Sequence, residues 1–158
     1  MSTQSLAYYF GTTHWVIQKQ LDGITHDDSV LQLPFRGNCL NWVLGHILDH
    51  RQFMLEMLGR EPIMTSEERA WYGFGSEPVT NGEQCVRLER LLEILEESQQ
   101  QLLASLEAMS DDDLQAIVDT EKQQTLEERL SFLQFHETYH TGQLEPLRQL
   151  AGKNDSVI

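Results

Sequence analysis

Apolar residues recur at three- and four-residue spacing in four separate stretches of this chain, and each stretch so spaced is a helix with one stripe to bury. Four such stripes satisfy one another by packing together, so the expectation is an all-α fold, an up-down four-helix bundle, in a single domain over residues 1–158. At this length the chain buries enough surface to do without disulfides.

The first helix is predicted over residues 4–24, with Leu6, Phe10, Ile17, Leu21 and Ile24 inward. The second, over residues 39–58, carries Leu40, Val43, Leu44, Ile47, Met54, Leu55 and Leu58 on one side, with Asn38 as N-cap and Gly59 as the stop. For the third, Asn81 and Gln84 resemble a capping box, and Leu88, Leu91, Leu92, Leu95, Leu102, Leu106 and Met109 follow at near-heptad spacing. Its other face, with Glu93, Glu96, Glu97, Gln99, Gln100 and Gln101, reads as solvated. The fourth, over residues 124–151, turns Leu126, Leu130, Phe132, Leu133, Leu144, Leu147 and Leu150 inward, and Pro146 is expected to kink it. Ser110 and the acidic triplet Asp111, Asp112 and Asp113 read as a short extra turn, since the triplet lacks the glycine and the later glutamate of a calcium loop.

Between the second and third helices lies a long loop, residues 60–80, without helical period. Its Trp71, Tyr72 and Phe74 argue for packing, as a wall or lid over one end of the bundle.

Charge excludes several partners. Lysine plus arginine total 11 against 25 acidic residues, a formal charge of -14, which repels a nucleic-acid backbone and an anionic membrane surface. No apolar run approaches the roughly 20 residues of a spanning helix. The start MSTQSLAYYFG does not read as a secretory signal, so a cytoplasmic protein is expected. Cys39 and Cys85, in no CxxC arrangement, read as small filler residues.

The chemistry resides in histidine. His136 and His140, four apart in FHETYHTGQL, stack on one helical face, the spacing that lets two imidazoles reach one ion. Burying bare imidazoles among leucines costs free energy unless their nitrogens find partners, which a metal ion or hydrogen bonds would provide. The second helix repeats the spacing in NWVLGHILDHR with His46 and His50. By helical projection His50 lies nearer the leucine stripe, so spacing leaves both open. His26, beside Asp27 and Asp28, reads as surface, and His14 as facing either way.

At these residues the chain resembles the DinB-like superfamily, which includes YfiT-like metal-dependent hydrolases and bacterial thiol-dependent transferases. The matching pieces are the tryptophan-containing NWVLGHILDHR and the HxxxHxGQ motif HETYHTGQ, with Arg148 and Gly152 near the expected tail positions. The resemblance implies His46, rather than His50, as the ligand from the second helix, with His136 and His140 from the fourth. It implies a divalent ion, nickel or zinc, and a homodimer. The basic residue common after the second histidine of the motif is Thr141 here, so an anionic substrate finds no support at that point. Glu137 and Gln143 stand as residues behind the ligands or on the surface, and Gly45 and Gly142 as places where helices approach closely.

Three histidines leave an ion an open position, the arrangement expected where a metal does chemistry. The expectation is a metal-dependent enzyme acting on a small molecule, by S-transfer from a low-molecular-weight thiol or by hydrolysis. The alternative is a non-catalytic metal-binding or stress-response module. An open pocket at the metal lined by Trp71, Tyr72 or Phe74 discriminates the two.

Overall fold

The computed structural model describes residues 1–158 and is all-α apart from one small hairpin. Four long helices dominate: α1 (Thr3–Leu21), α3 (Leu40–Met57), α5 (Leu88–Ala108) and α6 (Leu126–Leu150), with the single turns α2 (His26–Ser29) and α4 (Ser66–Arg69) between them. Both α1 and α3 pack against α5 and α6, so the consecutive long helices α1 and α3 face each other across the interior, as do α5 and α6. No helix is long and apolar enough to cross a membrane.

The interior is layered. One apolar cluster gathers Ile17, Leu21, Leu44, Ile47, Leu48, Leu91, Leu95, Leu144 and Leu147, and a second gathers Leu6, Phe10, Met54, Leu102, Leu106, Leu130 and Leu133. Each helix changes character where it passes from one cluster to the other: Thr13 and His14 on α1, Arg51 on α3, Ser98 and Gln99 on α5, Glu137 on α6, all buried. Arg51 grips Glu137 through two parallel bonds of 2.9 Å, and Thr13 Oγ1 donates to the same carboxylate at 2.6 Å. The Arg51 guanidinium also donates to Leu95 O and Ser98 Oγ. Glu137 is therefore a buried anion that ties α1, α3 and α6 together, and Gln99, expected in solvent, is buried in the same layer.

Several boundaries differ from the sequence expectation. Asn38 does not cap α3; its N-cap is Cys39, which makes no side-chain capping bond. Asn81 caps a separate 3-10 turn at Gly82–Gln84, and α5 starts only at Leu88. His26 serves that start. Its Nδ1 accepts from Leu88 N at 3.1 Å, so its Nε2 carries the proton and donates to Gly82 O at 2.9 Å. The imidazole thus replaces the missing cap, and His26 is buried rather than on the surface. On α6, Phe132 and Leu150 face outward, and Pro146 lies within the helix without ending it. After the expected turn, closed by Ser110 and Asp113, β1 (Ile117–Asp119) and β2 (Gln124–Thr125) form an antiparallel hairpin leading into the Thr125–Glu128 capping box of α6.

The segment 60–80 is a packed structure. α4 opens with a capping box between Thr65 and Glu68. Gln52 Oε1 accepts from Ile63 N and Met64 N, and Arg69 pairs with Asp49 and Glu56. Tyr72 enters the core completely, its hydroxyl donating to Asn41 Oδ1 and accepting from Val86 N. The ring passes over Gly45 so closely that a Cβ there would sit 2.3 Å from Tyr72 Cδ1. Around Gly142 a Cβ would meet nothing within 4 Å.

These two glycines give opposite expectations. Alanine is favoured over glycine in a helix by about 1 kcal/mol, but displacing a buried ring costs about 1–3 kcal/mol. Gly45→Ala is expected to lower the midpoint of thermal unfolding, and Gly142→Ala to leave it unchanged or raise it.

Candidate metal centre

The four histidines of the two HxxxH pairs meet where α3 faces α6, beside the polar layer. His46 is buried, while His50, His136 and His140 lie at the edge of the interior. Helical projection favours His50 as the inward member because it weighs only the leucine stripe. In the fold α3 is enclosed on nearly every side, and the segment 60–80 covers His46.

Each ring is held in its own way. Tyr72 O lies 2.7 Å from His46 Nδ1, and because a carbonyl only accepts, Nδ1 holds the proton and Nε2 is left with its lone pair. Trp42, one helical turn earlier, stacks on the His46 ring at 4.7 Å and 15°, and its Nε1 donates to Ser76 Oγ. Gln143, one turn after His140, accepts from His140 Nδ1 at 2.6 Å, which frees His140 Nε2. That nitrogen faces His136 Nε2 at 3.1 Å. Two nitrogens on a common ion, each roughly 2.0–2.1 Å away, lie roughly 3.0–3.4 Å apart.

Distance and orientation group the rings differently. The ligand atoms of His46, His50 and His136 all lie within 4.8 Å of one another, so these three could hold a metal ion. Yet the His50 ring is stacked on His136 at 4.0 Å with planes only 15° apart, so their lone pairs lie in two nearly parallel, separated planes. The planes of His46, His136 and His140 are inclined by 60°, 81° and 67° in pairs, with ring centroids 4.4 to 5.1 Å apart. Lone pairs in mutually inclined planes can converge on one point.

Electrostatics suits neutral imidazole ligands. Burial, followed by the charges of His50, His140 and His46, pushes His136 down to about 3. Burial and then His46 push His50 down to about 4, and burial also lowers His140 despite the bond to Gln143. The buried Nδ1 atoms of His50 and His136 have no partner in the protein. An imidazole-rich donor set with unpartnered nitrogens fits a divalent transition ion.

A cavity of about 940 Å³ opens against this cluster. His46, His136 and His140 line it, and His50 does not. Phe74, Gly75 and Ser76 form one wall, as the sequence suggests for the loop, whereas Tyr72 is in the core and Trp71 lies elsewhere. His14 sits apart, its Nε2 3.4 Å from Glu96, and both cysteines are raised by burial, Cys85 to about 11, in keeping with filler residues. The Tyr72 carbonyl escapes sequence reasoning because backbone carries no residue signal. The one-turn spacings of Trp42 and Gln143 from their histidines were the available signals for those two.

Lowered histidine values make stability depend on pH. Below the ordinary 6.5 the unfolded chain takes up protons that the folded His50 and His136 refuse, so stability of the metal-free protein is expected to fall from pH 6.5 down to about 3. Urea unfolding across that range checks it, and replacing His136 by Phe is expected to flatten the decline.

Comparison with known proteins agrees with this architecture. The sequence matches no curated protein. Among solved structures, the conserved protein of locus from Enterococcus faecalis superposes with a TM-score of 0.74 over 98% of this chain and 99% of its own. The identity is 15%, so this likeness concerns the fold alone. The sequence profile of the DinB superfamily matches residues 18–144, which include all four clustered histidines. With most of its length matched, the chain belongs to the DinB superfamily.

Proposed function

We propose that this protein is a metal-dependent enzyme, in which His46, His136 and His140 hold a divalent transition ion, nickel or zinc, at the floor of the cavity. The observation that carries this reading is the set of three mutually inclined imidazoles, all lining one open cavity. When bound, such an ion lowers the pKa of a low-molecular-weight thiol or of water, for S-transfer or hydrolysis on a small molecule.

The chain's own residues set up that chemistry. Tyr72 O and Gln143 Oε1 fix the tautomers of His46 and His140, so that each presents a bare Nε2. Trp42 shields one face of His46 from water. His50 stacks behind His136 and limits its rotation. The four long helices, taken as an up-down bundle, present the two histidine pairs to each other at one level. An open cavity favours catalysis over a sealed structural site.

Elemental analysis of untagged protein tests the assignment. About one equivalent of nickel or zinc is expected, lost in His46→Ala, His136→Ala and His140→Ala and retained in His50→Ala. Gln143→Ala is expected to weaken affinity roughly tenfold, as loss of a group that orients a ligand does. Retention in His46→Ala with loss in His50→Ala would move the site to His46's neighbour. No metal in any preparation, even after incubation with nickel and zinc, would sink the enzyme reading.

A further inference from the structure

The same cavity has a charge unlike the rest of the molecule. The chain carries 25 acidic residues, yet none of the residues lining the cavity is aspartate or glutamate. Its one cationic lining residue is Arg36, in the connection before α3. Arg51, Arg69, Arg87, Arg90 and Arg148 are all engaged in ion pairs, but the Arg36 guanidinium has no carboxylate within 4 Å and makes no hydrogen bond. The carboxylates nearest the histidines in sequence, Asp49 and Glu137, are held by Arg69 and Arg51. Among the lining residues, Arg36 therefore carries the one permanent charge.

The walls supply the second half of the argument. Phe35, Phe74, Phe135 and Tyr139 all line the cavity and all are largely exposed, Phe74 completely. Aromatic surface left in water around one mouth marks a place where apolar matter is covered. A volume of about 940 Å³ accommodates a molecule larger than water or a simple anion.

We infer that the cavity binds a small carboxylate-bearing molecule with an apolar body, its anionic end on Arg36 and its body along Phe35, Phe74, Phe135 and Tyr139. Held this way, the other end of the molecule reaches the histidine floor. This assignment of substrate class rests on the reading of the cavity as a substrate pocket, but binding at Arg36 needs no metal. A guanidinium can clamp a carboxylate through two parallel, charge-assisted hydrogen bonds.

Calorimetric titration of chelator-treated protein with 4-phenylbutyrate and with its uncharged amide tests the inference. The carboxylate is expected to bind about tenfold more tightly than the amide, a preference lost in Arg36→Gln and kept in Arg129→Gln. Phe135→Ala is expected to weaken both probes alike. Equal binding of the two probes, undiminished preference in Arg36→Gln, or no binding of either overturns the inference. Repeating the titration on nickel-loaded protein separates it from the metal assignment. A preference that arises only after loading and survives Arg36→Gln places the anion on the ion, which refutes the role of Arg36 and leaves the metal site intact.

Discussion

All four long helices meet at one buried ion pair. Arg51 of α3 clamps Glu137 of α6, reaches Leu95 O and Ser98 of α5, and shares Glu137 with Thr13 of α1. Such a pair adds little net stability, because removing two charges from water costs about as much as their attraction returns. Its effect is on register: sliding α3 past α6 by one residue would strand both charges between two leucine-rich clusters. Arg51 directly follows His50 and Glu137 directly follows His136, so the contact that fixes the helices also fixes which imidazoles face each other.

The sequence announced the four helices because each carries a stripe of period 3.6, and it announced the histidines because four-residue spacing places a pair on one face. By helical projection it put His50 nearer the leucine stripe and left His46 and His50 both open, since a projection of α3 cannot know that a later segment covers the polar side of the helix. It misread His26 and Gln99, polar residues whose burial follows from partners or layers distant in sequence. The small hairpin escaped because its five strand residues carry no alternation strong enough to compete with a loop reading.

Membership of the DinB superfamily and the histidine geometry bear on different questions. The first is a matter of sequence, a profile match over residues 18–144 that spans both histidine pairs. The second concerns what those histidines can do, and here ring orientation discriminates where distance does not. The planes of His46, His136 and His140 are inclined to one another, while the fourth ring, His50, is packed flat against His136. Burial, and then the charges of neighbouring histidines, hold His50, His136 and His140 below the usual imidazole range, so a cation approaching these three rings meets little competition from protons.

The segment that covers His46 joins two tasks that proteins often divide between separate loops. Tyr72 is locked over Gly45 and orients the His46 ring through its backbone, Ser76 is tied to Trp42, and between them Phe74 projects freely at the cavity wall. Anchors on either side of an unconstrained tip let the side chain at position 74 vary without moving the carbonyl on His46. A lineage could then diversify what the cavity accepts by exchanging one residue, with the histidine cluster inherited unchanged.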